Sequence, residues 1–380
     1  MSILKNPKTA KYSIVKILFV RLENYLKYLF YSFVVFLSFF TPISSKKKIL
    51  NFGSFQDTRF INFLIFSLCS EFIFSVNLDI KIFSLIKKIG IVNFLKFFHI
   101  NFKVRNKKKY LIVLNNKLEN KKEKLVIPFD TNYFDFVINK KNHNSIIMPY
   151  YLYPRIYNKN YSILHELKNQ EKCFKIVFSG SVHPDWYDKF NWNNIDGSKM
   201  LTRNEILHFV IREFNSEIFY LRNYKDLNNA KISKKKIIFS LNENLSTKSK
   251  SKLSNIEHLK FISKSNFFLT APGTGMPLCH HLIEAIKFTT IPITSYGHLL
   301  FPSLNEQNSI SFGNFNSLYK AIEKAILMKD QEILEKRKNL ENFYNNSLSP
   351  SSFRKKFIEA STDKIIVCCN DHESVNQFLL

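Results

Sequence analysis

Residues 266–295, NFFLTAPGTGMPLCHHLIEAIKFTTIPITS, admit few folds. Phe267, Phe268 and Leu269 form a short apolar run of strand type, after which the chain leaves the sheet through Ala271-Pro272-Gly273-Thr274-Gly275. Two of the chain's eight glycines stand within three residues there, at a turn that larger residues could not make. Pro277 occupies the place of a first helical residue, because its fixed φ suits that position and its missing N–H would have no helical partner anyway. The spacing predicts a helix that begins between Gly275 and Pro277 and runs to about Phe288, with a strand following at Thr290-Ile291-Pro292-Ile293-Thr294. Strand, loop, helix and strand make a βαβ unit. Its loop lies at the carboxyl edge of a sheet, where open α/β folds bind ligands.

The rest of the chain repeats that alternation, the signature of doubly wound sheets. Strands are expected at Ile49-Leu50-Asn51-Phe52 (ending in Gly53-Ser54), Phe72 to Val76, Tyr110 to Leu114, Leu125 to Pro128 and Ile146 to Pro149, with helices over Asp57 to Ser70 and Ile80 to Ile89. PYYLYP (Pro149 to Pro154) and Asn158-Lys159-Asn160 read as a linker. A second series opens with Phe174 to Phe178 running into Ser179-Gly180-Ser181, and Thr202 with Glu205 three residues on is a capping box that starts a helix. Strands at Glu217 to Leu221 and Lys236 to Leu241, a short element at His258 to Ser263, and helices over Asn316 to Met328, Gln331 to Tyr344 and Ser349 to Ser361 complete it. The last twenty residues give no pattern. The expected organisation is an α/β chain with two Rossmann-like domains facing a cleft, divided as 1–45, 46–150, 151–345 and 346–380.

The 380 residues suffice for two domains, and 45% hydrophobic residues exclude a disordered chain. A formal charge of +26 suits an anionic membrane surface or nucleic acid. A composition rich in Lys, Asn, Ile and Phe and poor in Gly, as an AT-rich genome produces, accounts for part of that charge with no partner at all. The lysine runs at 107–109, 121–124 and 234–236 abut apolar strands and resemble loop ends more than nucleic-acid arms. Before Lys46, Leu18, Leu22, Tyr25, Leu29, Phe33 and Phe36 recur at helical spacing among Lys11, Lys16, Arg21 and Lys27. That segment reads as a membrane-surface helix, as a span over about 28–45, or as a packing helix, and not as a cleaved secretory signal. Five cysteines without repeated spacing exclude a zinc-ribbon or disulfide framework and imply a reducing compartment.

Gly273-Thr274-Gly275 before a helix offers backbone N–H groups and the positive end of a helix dipole to a phosphate. It is neither a Walker A loop nor GxGxxG; a plain tight turn is the competing reading. His280, His281 and Glu284 follow on the helix, at spacings that put either histidine near Glu284 on one face. A carboxylate one turn below a phosphate-binding helix end is placed to accept hydrogen bonds from a ribose.

LTAPGTGMPLCHHLIEAIKFTTIPI followed by LLFPSL resembles the C-terminal signature of GT-B glycosyltransferases, and among them is most similar to the exostosin family. The shared features are a strand ending in Pro272-Gly273, a helix bearing Glu284-Ala285, the strand Ile291-Pro292-Ile293, and Phe301-Pro302 after it. Gly180 ahead of Arg203 resembles the same family's strand-glycine turn followed by an arginine on the next helix. The resemblance spans about Phe174 to Pro302. It implies that Glu284 binds a nucleotide ribose, that the 273–275 loop meets the donor diphosphate beside Gly180 and Ser181, and that Arg203 neutralises its charge. The chain departs from that pattern at His280-His281, where the family more often has Ser and Arg, and at Thr289-Thr290, where it has Gly and Cys. A histidine in place of the arginine would make phosphate binding pH-dependent.

No Asp-x-Asp occurs, so the metal clamp of the other large glycosyltransferase architecture is missing and no metal or cofactor is expected beyond the nucleotide-sugar donor. Candidates for the catalytic base are Asp57, Asp130 and Asp135, with His183 and Asp185 a weaker pair. The expectation is a metal-independent, exostosin-like enzyme of polysaccharide biosynthesis. It would transfer a sugar to a surface-glycan or lipid-linked acceptor at the cytoplasmic face of a membrane, peripherally or through one N-terminal anchor. The alternatives are a non-enzymatic basic protein on nucleic acid, disfavoured because its charge is mostly scattered Lys, and a membrane-associated structural protein.

Overall fold

The computed structural model describes residues 25, 26, 30, 32, 33, 48–52, 61–77, 86, 95, 98–101, 111–115, 124–130, 133–139, 145–159, 161–183, 187, 195, 197, 200–228, 235–241, 253–274, 276–360 and 366–368. The chain divides into two compact units, Met1–Asp57 with Cys69–Val126, and Thr58–Leu68 with Ile127–Leu380. A boundary near residue 150 was expected, but that point lies within the second unit. PYYLYP is no exposed linker: Tyr150, Tyr151 and Leu152 are buried, and Tyr153 alone of the four is exposed.

The first unit holds β1 (Lys48–Phe52), β2 (Phe72–Asn77), β3 (Phe98–Asn101) and β4 (Leu111–Asn115). β1 runs parallel to β2, with Lys48 opposite Phe72, and β2 parallel to β3, while β4 runs antiparallel to β1. The antiparallel pair makes this a mixed sheet. Most of the 1–45 helix, the helix expected over Ile80 to Ile89 apart from Ile86, and the Gly53-Ser54 turn lie outside the described residues. Among the described residues no helix is long and apolar enough to cross a membrane.

The second unit opens with α1 (Ile61–Leu68), followed by β5 (Lys124–Asp130), which begins before the unit boundary, α2 (Tyr133–Asn139), β6 (Ser145–Ile147), α3 (Pro154–Lys159) and α4 (Ile163–Lys168). Then come β7 (Phe174–Gly180), α5 (Arg203–Glu213), β8 (Ile218–Tyr220), β9 (Ile237–Leu241), α6 (Asn255–Ser263), β10 (Ser265–Leu269), α7 (His280–Lys287) and β11 (Ile291–Thr294). β12 (Ile310–Ser311), α8 (Phe315–Leu327), α9 (Asp330–Phe343), α10 (Pro350–Glu359) and β13 (Ile366–Cys368) finish it. β13 was not expected. It lies between β5 and β6, parallel to both, with Val367 opposite Phe129 and Ile146. α1 packs on α3 and α10 through Phe63, whose ring meets those of Tyr157 and Phe353 at 5.9 and 5.5 Å.

Strands β12-β11-β10-β7-β9-β8 form a six-stranded sheet, parallel throughout. Both faces are covered, which is why its strands read as unbroken apolar runs. Ile176, Phe178, Phe267, Leu269, Ile291 and Ile293 point into one core with Leu207 of α5 and Leu318 of α8. The alternate residues Val177, Ile238 and Phe268 are equally buried. From β7 the chain fills one side of the sheet with β9 and β8, then returns to β10 and fills the other side. The carboxyl ends of the neighbours β7 and β10 are therefore the topological switch point, where such sheets hold ligands.

The helices begin where local chemistry starts them. Thr202 accepts from the N–H of Glu205 while the Glu205 carboxylate accepts from Thr202, and Ser254 with Glu257 repeats the arrangement ahead of α6. α7 starts at His280, not at 275–277, so Pro277 belongs to the loop. It ends in a Schellman motif, in which the N–H of Thr290 donates to Ala285 O at 2.9 Å and that of Thr289 to Ile286 O at 3.1 Å. That motif needs a left-handed residue at Thr289, whose φ is 54°. Lys172 fixes the exit from outside, its Nζ donating to Phe288 O and Thr290 Oγ1, both at 2.8 Å. A β-branched residue is costly in this conformation, and any Cβ there costs about 1 kcal/mol against glycine. Urea denaturation of Thr289→Gly and Thr289→Ala is expected to show the glycine variant more stable than the alanine variant by about that much, the reverse of the usual order.

Candidate active site

The loops at the switch point are built for close approach. β7 ends in Ser179-Gly180, where a Cβ on Gly180 would come within 3.3 Å of both Arg203 Nη1 and the Phe178 ring. β10 runs into Thr270, which bonds Ile293 O through its N–H and its hydroxyl, and then into Ala271-Pro272-Gly273. A Cβ at Gly273 would lie 2.6 Å from Met276 O, so only glycine fits. The N–H of Gly273 donates to Pro277 O at 3.2 Å, which folds the 273–277 segment onto itself.

Arg203, the first residue of α5, holds the two loops together. Its Nε donates to Pro272 O at 3.1 Å, Nη2 to Ala271 O at 3.3 Å and Nη1 to Ser181 O at 3.0 Å, with Nη2 also 3.8 Å from Cys279 Sγ. The Tyr187 ring lies under the guanidinium, 4.0 Å from its carbon. Four of the five N–H groups of an arginine are thereby engaged, leaving one on Nη1. Tyr296, donating to Ala271 O at 3.2 Å, and Tyr150, donating to Leu278 O at 3.1 Å, brace the same loop from other sides.

Behind the loops a chain of hydrogen bonds crosses three elements. Ser179 Oγ at the end of β7 is 2.9 Å from His258 Nδ1 on α6, and His258 Nε2 is 3.1 Å from Glu284 Oε2 on α7. Glu284 is 2% exposed. Burial alone would raise its pKa, but the hydrogen bond from His258 and the neighbouring histidines outweigh burial and hold it at about 2. The carboxylate is thus ionised across the physiological range and can only accept, so His258 Nε2 carries the proton between them. The His281 ring packs against that of His258 at 4.3 Å between centroids, and burial, reinforced by His258, lowers its pKa to about 3. His281 is therefore a neutral imidazole at pH 7. One nitrogen of each of these histidines and a carboxylate oxygen of Glu284 lie within 4.8 Å of one another, the only such group of metal-ligating side chains among the described residues. His280 turns the other way, its Nδ1 3.0 Å from Tyr151 O and its ring stacked on Tyr150.

Gly180, Ser181, Arg203, Gly273, Thr274, His280, His281 and Glu284 all line one cavity of about 320 Å³. Gly275 lies outside the described residues, as do Asp57 and Asp185. Asp135 lies in the first turn of α2 and does not line the cavity, while Asp130 is the last residue of β5 and its side chain lies outside the described structure. His258 also lines it and was not singled out from sequence, although Ser254 and Glu257 carry the same capping signature that marked Thr202 and would have put His258 on a helix. Tyr150, Tyr153 and Ile156, from the supposed linker, complete one wall.

No family model matches the chain, and no curated protein matches it. Among solved structures it is similar to the N-terminal domain of trehalose-6-phosphate phosphatase from Candida albicans, at 10% identity over 78% of this chain and 66% of that one, with a TM-score of 0.30. It is similar to an α1,3-fucosyltransferase at 16% identity over 60% of this chain and 51% of that one, TM-score 0.23. A third is the UDP-forming α,α-trehalose-phosphate synthase of Burkholderia xenovorans in complex with glucose-6-phosphate, at 7% identity over 78% and 75%, TM-score 0.31. The chain spans 66% of the first of these and about half of the second. Likeness this loose decides neither fold nor activity.

The two depressed pKa values act on stability with the same sign. The unfolded chain takes up a proton at His281 below its ordinary 6.5 while the folded chain resists until about 3, so that stabilisation is complete above 6.5 and lost as pH falls towards 3. Glu284 adds a contribution complete above 4.5 and lost towards 2. Thermal melts in the presence of a chelator are expected to show a melting temperature that falls as pH drops from 6.5 to 3, the unfolding free energy decreasing by up to ~1.4 kcal/mol per pH unit for each proton involved. His281→Asn is expected to flatten the part of that fall above pH 4.5.

Proposed function

We propose that this chain is a nucleotide-sugar glycosyltransferase of GT-B type whose donor occupies the switch-point cavity. The observation that carries the reading is Glu284, an ionised carboxylate fixed by His258 at the base of a cavity at the carboxyl edge of a parallel sheet. A pair of adjacent ribose hydroxyls is the natural donor to such a group, since an acceptor-only carboxylate held rigid loses no hydrogen-bonding freedom when a diol arrives. Gly180 and Gly273 let a phosphate come close to the backbone, and the amino end of α7 favours negative charge.

The geometry adjusts how the diphosphate would be held. With the Gly273 N–H and most of Arg203 engaged in shaping the loop, positive potential at the phosphates comes from the guanidinium as a fixed charge, from its one remaining N–H and from the helix end. Those groups stabilise the leaving nucleoside diphosphate as the bond from the anomeric carbon to the phosphate oxygen breaks and the acceptor oxygen forms a new one. The proton of the acceptor hydroxyl goes to a base, for which Asp57, Asp130 and Asp135 are the candidates. The exostosin-like acceptor, a surface glycan or lipid-linked saccharide, and attachment of the basic N-terminal segment to an anionic membrane surface belong to the same proposal. So does a transfer step that uses no metal.

A thermal-shift screen against UDP-, GDP-, ADP- and CMP-linked sugars tests this reading, because a ligand that binds only the folded chain raises its melting temperature. One nucleotide class is expected to do so. Glu284→Gln is expected to weaken that nucleotide at least tenfold, about 1.4 kcal/mol, and to abolish sugar transfer. No shift with any of the four, or an unchanged affinity in Glu284→Gln, would contradict the assignment.

A further inference from the structure

We infer that His258, His281 and Glu284 form a binding site for a zinc-class divalent cation, with a fourth coordination position open to the cavity. The three residues offer two imidazole nitrogens and one carboxylate oxygen within 4.8 Å of one another. Two imidazoles and a carboxylate suit zinc, cobalt and their neighbours and suit magnesium or calcium poorly. His281 and Glu284 stand one helical turn apart on α7, and His258 comes from α6, which packs against it.

The distances are close to those a metal needs. With bonds of about 2.0–2.1 Å, ligand atoms around a tetrahedral zinc lie roughly 3.3 Å apart. The His258 Nε2 to Glu284 Oε2 separation is already 3.1 Å, so that edge is preformed, and a His281 nitrogen within 4.8 Å of both supplies the third corner. The cation takes the place of the proton between His258 and Glu284, and the single proton of the neutral ring moves to Nδ1, from which it donates to Ser179 Oγ, 2.9 Å away. A hydrogen bond of this kind to the far nitrogen fixes the tautomer and the ring plane of a metal-bound histidine. All three side chains line the cavity, so water or a ligand oxygen has access to the fourth position. Because a cation and a ribose diol would compete for the same buried carboxylate, a bound cation would weaken a nucleotide held at Glu284. The metal site itself does not rest on the donor reading, and it is tested with no nucleotide present.

The experiment is equilibrium dialysis of the full chain, freed of metal with a chelator, against Zn²⁺, together with the visible spectrum of the Co²⁺ form. One equivalent of Zn²⁺ is expected to bind, with affinity reduced at least tenfold in His281→Asn and in Glu284→Gln and severalfold in Ser179→Ala. His298→Ala, an exposed histidine elsewhere on the unit, serves as control and is expected to match the parent. The Co²⁺ form is expected to show the intense d–d bands of four-coordinate cobalt, a readout that needs no variant to fold. Failure to bind Zn²⁺ at micromolar concentration, unchanged affinity in well-folded His281→Asn, or the weak spectrum of six-coordinate cobalt would each overturn the inference.

Discussion

A carboxylate is hard to keep ionised where it is only 2% exposed, and Glu284 stays so because His258 donates to it. Stripping water from an unpaired carboxylate costs several kcal/mol, and proteins normally answer by protonating it. Here the answer is a hydrogen bond from a neighbouring helix, with the donating ring itself held by Ser179 at the end of the central strand. The bond therefore ties α6, α7 and β7 together at the point where the sheet changes direction. Removing His258 would leave a buried charge without that donor, so the site and the local fold depend on the same contact.

Arg203 does comparable work at the front of the site. A guanidinium that bonds three backbone carbonyls from two loops is a structural clamp first and an anion-binding group second. It also explains why the loop residues can be as small as they are. Gly180 and Gly273 keep the backbone accessible, and a loop with so little side-chain packing of its own is held by Arg203, Tyr150 and Tyr296 instead.

The sequence made the 266–295 unit, the Phe174 strand and the Thr202 cap legible because each rests on local chemistry: apolar runs, glycine and proline at turns, Thr and Glu at capping spacing. It placed Glu284 correctly on the helix after β10 for the same reason. It put the start of α7 several residues early, since Pro277 suits a first helical position but the tight 273–277 turn consumes that segment first. His258 and the tyrosines of PYYLYP were missed because their roles come from tertiary packing. No period or motif within residues 149–154 tells a linker from a cavity wall, and β13 is a three-residue strand whose partners, β5 and β6, lie more than two hundred residues earlier in the chain. The two histidines of α7 could not be told apart from sequence, and they separate by one step of helix rotation. His281 turns towards His258 and Glu284, and His280 towards Tyr150 and Tyr151.

The central claim is that Glu284, held by His258, is the group that receives a nucleotide ribose. It is tested most directly by a crystal structure of the full chain with the nucleoside diphosphate that binds it. The account predicts the two ribose hydroxyls within hydrogen-bond distance of Glu284, the phosphates over Gly180 and Gly273, and the His258 bond retained. A nucleotide found elsewhere on the chain, or in this cavity with its ribose turned away from Glu284, would contradict it.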